Sequence, residues 1–252
     1  MDAASVNDHP RGFAADEHDA PVAPNRRPRD SASLAVCRRE GGHWHVLMGV
    51  RSKRHVFFPS ALAFPGGAVD PTDFAVPAAG HLDPAVERLL TLRTRQPMSP
   101  RRPHAIACAA IRELFEETGI IVGGAAPASA TPPRGWEAFF GHGFAPDLSG
   151  LSLFMRAITP PRQTRRFDNR FFAVGADRIA HALPPEDCPT AELEERRYLP
   201  IDGALGMEMP GVTRVALTVL RERLGAPGGL RSHRPVLFRR TVRGKHVAEE
   251  IS

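Results

Sequence analysis

The sequence is poor in cysteine, tyrosine and tryptophan, with three, one and two of them among 252 residues. Cys37, Cys108 and Cys188 are odd in number and widely spaced, which excludes a disulfide framework and gives no zinc-ligand pattern. They read as ordinary thiols in a reducing compartment. Aromatic residues make up only 7% and are mostly Phe, so no stacking platform for single-stranded nucleic acid is evident. No apolar run approaches the length of a bilayer span, and the N-terminal stretch lacks the apolar core of a signal peptide. A cytoplasmic protein without a membrane partner is expected. The final residues, Glu249-Glu250-Ile251-Ser252, are not a peroxisomal address.

What is present suits one enzyme-sized domain. A hydrophobic content of 42% is ample for a packed core at this length, and no second domain is demanded. Residues 1–30 are rich in Ala, Asp, Pro and Arg and nearly free of large aliphatics, which reads as a disordered tail. Residues 31–224 read as the folded domain, and residues 225–252 as an extension to which the pattern assigns no structure. The net charge of +5 comes from arginines scattered in short groups, such as Arg38-Arg39, Arg101-Arg102 and Arg196-Arg197. That distribution argues against a nucleic-acid interface and for a basic surface that draws in a small polyanion. Nothing in it reveals an oligomeric state.

Strands are expected at Ser31–Arg38 and His43–Val50 around the turn Glu40-Gly41-Gly42, then at Ala61–Phe64, Ile120–Val122, Leu151–Thr159 and Phe167–Val174. Residues 191–205 (AELEERRYLPIDGAL) read as a further strand and turn, and Val212–Leu224 as a helix. Strands alternating with two major helices predict an α/β fold with a mixed sheet between helices.

The most informative stretch is Ala105–Val122. At about 100° per residue, Ala107, Ile111, Leu114, Phe115 and Thr118 share one arc of a helical wheel, and Glu113, Glu116 and Glu117 share the opposite arc. Gly119 is placed to end the helix in the left-handed conformation. Three carboxylates at this spacing repel one another and sit at the helix end where the macrodipole disfavours negative charge. Arg112 can offset Glu116 at i+4 but leaves Glu113 and Glu117 uncompensated. A hard divalent cation would resolve the repulsion.

Arg112-Glu113-Leu114-Phe115-Glu116-Glu117-Thr118-Gly119-Ile120 resembles the second half of the Nudix box, and Phe64-Pro65-Gly66-Gly67 resembles the opening of its first half. The box reads glycine, five residues, glutamate, seven residues, then Arg-Glu-aliphatic-any-Glu-Glu-any-Gly-aliphatic. The resemblance implies a Nudix-type α/β/α sandwich and hydrolysis of a nucleoside diphosphate linked to another group. It also implies Mg²⁺ or Mn²⁺ held by Glu113, Glu116, Glu117 and the carbonyl of Gly66 or Gly67. Glu113, with Arg112 beside it, is the expected catalytic pair, and one of Glu192, Glu194 and Glu195 is expected to join the metals. Arg51, Arg54 and Arg170 are candidate phosphate contacts.

The box is split. Where the pattern has thirteen residues between glycine and arginine, Ala68 to Ile111 is 44 residues, an insert of about 31 at residues 71–103. Counting back from Arg112 puts His104 where the first glutamate belongs, with Asp83 and Glu87 of the insert as stand-ins. Within the insert, residues 85–93 (AVERLLTLR) read as a short amphipathic helix. A split box, with the sequence around it, resembles the Nudix branch that includes the peroxisomal coenzyme A diphosphatase and many bacterial relatives, implying coenzyme A or acyl-coenzyme A as substrate. An ADP-ribose or NADH-type pyrophosphatase, or a non-catalytic nucleotide-binding module, is the alternative. The insert is expected to wall the bound diphosphate.

Overall fold

The computed structural model describes residues 26–51, 61–94, 99–128, 131–190, 192–231 and 234–252. One large sheet is built from β1 (Arg29–Glu40), β2 (His43–Arg51), β3 (Leu62–Ala63), β4 (Gly66–Ala68), β7 (Ser152–Ile158), β8 (Phe167–Gly175), β10 (Leu193–Pro200), β11 (Val236–Val242) and β12 (Lys245–Ile251). Its order is β10-β2-β1-β8-β7-β11-β12, with β3 pairing on β2 and β4 on β1. The sheet is mixed: β1 with β8 and β7 with β11 are parallel pairs, and the remainder are antiparallel. A smaller sheet is made by β5 (Ile120–Ala125), β6 (Phe144–Pro146) and β9 (Ile179–Ala182), in the order β6-β5-β9.

The period-two alternation of β1 explains why the sheet is covered on both sides. Ala32, Leu34 and Val36 face a core built with helices α1 (Pro84–Thr91), α2 (Arg102–Thr118) and α3 (Glu137–Gly141). Ala35 and Cys37 face a second core built with α4 (Ile201–Leu205) and α5 (Gly211–Gly225). β8 splits in the same way, Phe172 and Val174 to the first core and Phe171 and Ala173 to the second. The result is the expected α/β/α sandwich. No described helix is long and apolar enough to cross a membrane.

The insert follows its local sequence signals. Asp70 caps a 3-10 turn at Pro71–Ala75 with a reciprocal capping box, and Asp83 caps α1, whose first residue is proline. The apolar face of α1, Val86, Leu89 and Leu90, is buried in the first core. The insert is therefore a packed part of the domain, tied further by Arg156, which donates to the Leu92 carbonyl at 2.7 Å.

Both expected domain ends change. Residues 1–25 of the expected tail lie outside the described residues, but Arg29 and Asp30 belong to β1. Asp30 accepts from Arg170 at 2.8 Å and pairs with Arg102, so the folded domain starts before Ser31. Residues 236–251 of the extension form the β11–β12 hairpin, which continues the large sheet from β7.

Candidate active site

The double glycine is held by the sheet. Ser31, Ala32 and Ser33 of β1 face Ala68, Gly67 and Gly66 of β4, so the turn lies against the strand that backs helix α2. Side chains are excluded there. A Cβ on Gly66 would collide with the Ala32 carbonyl and Ser33, and one on Gly67 would fall inside the Glu113 carboxylate. The close approach lets the Gly66 N–H donate to Glu117 Oε2 at 3.0 Å. Glu117 is buried by this contact, so the helical wheel, which placed it on an open acidic face, misjudged its surroundings.

Helix α2 stops where expected. Gly119 adopts φ 73°, and its N–H donates to the Phe115 carbonyl at 2.7 Å. The glutamates thus occupy the last two turns.

Arg112 is the hub of the site. Its Nε donates to Asp73 Oδ1 at 3.0 Å and Nη2 to Asp73 Oδ2 at 3.2 Å. Nη2 also donates to the Ala68 carbonyl at 2.9 Å, and Nη1 to Glu113 Oε1 at 2.9 Å and Glu116 Oε2 at 3.1 Å. Five bonds use all five guanidinium N–H donors. Glu113 is therefore compensated, contrary to the expectation from helix spacing alone, and Arg112 serves two glutamates at once.

Asp73 is the residue that the sequence pattern did not single out. Neither His104 nor the stand-ins Asp83 and Glu87 meet Arg112: His104 Nε2 donates to the Val76 carbonyl at 2.9 Å, Asp83 caps α1, and Glu87 is exposed. Counting forward from Gly67, five residues and then an acid, reaches Asp73 directly, so the departure from the box pattern begins after residue 73 and not at the expected residue 71. Asp73 is fully buried and also accepts from Trp136 Nε1 at 3.1 Å and the Asp70 N–H at 2.8 Å.

The crowding has electrostatic consequences. Burial pushes the Glu113 carboxyl up to about 7; Arg112 opposes this, while Glu116 and Glu192 reinforce it. Glu116 is raised as well, with burial foremost. For Arg112, burial works against the charge, but Asp73, Glu113 and Glu116 more than offset it and keep the guanidinium protonated. Of the three downstream acids, Glu192 is the one that acts on Glu113 and Glu116. Glu194 lies in β10 opposite Val50, and Glu195 sits exposed at the bulge that follows.

The arginines expected at the phosphates fare differently. Arg51 closes β2 opposite Leu193, and Arg54 lies outside the described residues. Arg170 is 1% exposed and engaged by Asp30 and Asp168, so the structure gives it carboxylate partners inside the domain in place of a surface contact. A recess of about 410 Å³ next to the insert is lined by Arg27, Arg29 and Arg102 with Val69, Pro71 and Phe74, and contains none of the glutamates.

Among the described residues no three His, Cys, Asp or Glu side chains stand closed around one point as metal ligands. The donor chemistry nevertheless fits a hard divalent cation. Glu113 and Glu116 share the guanidinium of Arg112, and Glu192 adds negative charge that raises the proton affinity of both, an unfavourable charge that a bound cation would relieve.

No protein-family model matches the chain, and no curated protein matches it. Solved structures do. A Nudix hydrolase from Alicyclobacillus acidocaldarius is 26% identical, with a TM-score of 0.55, the alignment covering 76% of this chain and 90% of that one. Fainter likenesses are the Nudix domain of Shewanella oneidensis NrtR, solved with ADP ribose, and a MutT Nudix hydrolase from Burkholderia pseudomallei. The first has 12% identity, a TM-score of 0.45 and coverage of 79% and 90%; the second has 17%, 0.41, 77% and 98%. The mixed sheet between helices and the first of these likenesses agree: this chain has the fold of the Nudix hydrolases.

Proposed function

We propose that the chain is a metal-dependent pyrophosphohydrolase that cleaves the diphosphate of a nucleoside diphosphate linked to another group, with coenzyme A or an acyl-coenzyme A as its substrate. The observation that carries the reading is the convergence of Glu113, Glu116 and Glu117 on the Gly66-Gly67 turn through Arg112 and the Gly66 N–H. Glu113, Glu116 and Glu117, with the Gly67 carbonyl, would hold Mg²⁺ or Mn²⁺, and Glu192 is the downstream acid that would join them. A bound divalent cation supplies charge neutralisation and Lewis acidity at the diphosphate oxygens.

The protein's own residues then have separable tasks. Glu113, held beside the Gly67 turn by Arg112, is the residue we assign to accept a proton from the attacking water. Arg112 orients Glu113 and Glu116 and is itself fixed by Asp73 and the Ala68 carbonyl. The water oxygen forms a bond to one phosphorus, the bridging P–O bond breaks, and two phosphomonoesters leave. For coenzyme A these are 3′,5′-ADP and 4′-phosphopantetheine. Support for this substrate comes from the split box, and the net charge of +5 suits any polyanion.

Chromatographic separation of products with Mg²⁺ or Mn²⁺, comparing coenzyme A, its dephospho form, NADH and ADP-ribose, tests the reading. Coenzyme A should be cleaved fastest. A preference of tenfold or more for ADP-ribose or NADH, about 1.4 kcal/mol in transition-state binding, moves the substrate to that class. Glu116→Gln and Glu117→Gln should each lower kcat by about a hundredfold or more. Near-normal turnover in both would sink the metal-site assignment, and no turnover of any diphosphate by the wild type would leave a binding module.

A further inference from the structure

The last turn of a helix leaves carbonyl groups without intrahelical partners, and in α2 two of these belong to Glu116 and Glu117 themselves. They are not left to solvent. The Glu116 carbonyl accepts from the Thr190 N–H at 2.9 Å, from Thr190 Oγ1 at 3.0 Å and from Cys188 Sγ at 3.3 Å. The Glu117 carbonyl accepts from Arg196 Nη1 at 2.9 Å. Arg196 also places a positive charge at the end of the helix where the macrodipole is negative.

Glu192 lies between these two anchors in sequence, two residues after Thr190 and four before Arg196. We infer that Thr190 and Arg196 are positioning residues: by clamping the carbonyls of Glu116 and Glu117 they tie the segment that carries Glu192 to the end of α2 that carries those two glutamates. The inference rests on the hydrolase reading for its catalytic meaning. Its structural content is that metal affinity depends on two side chains whose described bonds run to the helix backbone. Thr190 contributes through its hydroxyl as well as its main chain, so a substitution can weaken the clamp and leave the N–H bond in place. Its effect should reach the metal through Glu192, as it does when groups behind a ligand orient it.

The experiment is a double-mutant cycle on the full chain, with Mn²⁺ alone as the probe, titrated by calorimetry at fixed pH. Thr190→Val should weaken Mn²⁺ binding by about tenfold, and Thr190→Ser, which restores the hydroxyl, should return it to within about twofold of wild type. In a Glu192→Gln background, Thr190→Val should change Mn²⁺ affinity by less than about twofold, because the carboxylate it positions is gone. Arg196→Met should show the same dependence on Glu192, and covers the case in which the Thr190 variant folds poorly. Equal losses with and without Glu192, or a lower melting temperature with unchanged Mn²⁺ affinity, would overturn the proposal. So would a wild-type chain that does not bind Mn²⁺. A wild type that binds Mn²⁺ but hydrolyses no diphosphate would remove the enzymatic reading and leave the cycle interpretable.

Discussion

Asp73 and Arg112, 39 positions apart, meet in a bidentate ion pair inside the domain, with Arg112 Nε and Nη2 donating to the two oxygens of a carboxylate that solvent does not reach. A fork-to-carboxylate geometry of this kind cannot be reproduced by an ammonium group. The insert lies between the partners in sequence, so the pair is also what closes the split box.

Arg112→Lys should therefore be a damaging replacement even though it keeps the charge. It abandons most of five hydrogen bonds and leaves Asp73 partly unpaired in a buried site, a loss on the order of 3 kcal/mol. Chemical denaturation should show the drop in stability, and turnover should fall with it. Wild-type stability and kinetics in this variant would show that the pair is dispensable.

Gly67→Ala introduces one methyl group where the Glu113 carboxylate already lies. Since the clash is with a charged group at the end of a side chain, Glu113 must swing away and surrender its place by the turn. The expected outcome is a loss of kcat of about a hundredfold with a smaller change in melting temperature, measured by steady-state kinetics and thermal unfolding.

The acidity of Glu113 links stability to pH. Its carboxyl titrates near 7 in the folded, metal-free protein, above the 4.5 of an ordinary glutamate. The stability it contributes is thus fully present below pH 4.5 and is lost as pH rises toward 7, by an amount on the order of 3 kcal/mol. Compared with Glu113→Gln, the metal-free wild type should lose melting temperature between pH 5 and pH 7.5. Parallel curves for the two proteins across that range would refute the assignment.

Asp30→Asn tests where the domain begins. It removes the negative charge facing Arg170, which is almost wholly buried and whose remaining carboxylate partner, Asp168, is shared with Arg156. A cost on the order of 3 kcal/mol is expected. If denaturation midpoints are unchanged, Asp30 is peripheral and the domain begins later in the chain.

Local signals in the sequence were reliable where the physics is local. Gly119 as the stop of α2, the turn at Gly41-Gly42 and the helix in the insert all depend on neighbours within a few residues. The role of Asp73 was legible too, by counting forward from Gly67, but counting backward from Arg112 ran into the insert and found His104. Burial by distant elements was not legible. A helical wheel orients Glu117 without showing that β4 covers it, and the carboxylate that engages Arg170, a candidate phosphate contact from the sequence, is Asp30, 140 residues away. The same holds for β11, whose place beside β7 is a parallel pairing that no turn announces.

That pairing bears on the fate of the chain while it is being made. β7 is buried along nearly its whole length, with Leu153, Phe154 and Met155 almost without exposure, and among the described residues one of its two edges is paired with β11. Until residues 236–242 have been synthesised and docked, that edge offers unsatisfied backbone groups flanked by large apolar side chains, a ready template for pairing with another nascent chain. β12, which forms the finished border, carries Lys245, His246, Glu249 and Glu250, and charge of this kind discourages further strands from adding. The hairpin at residues 236–251 thus exchanges a sticky margin for a guarded one.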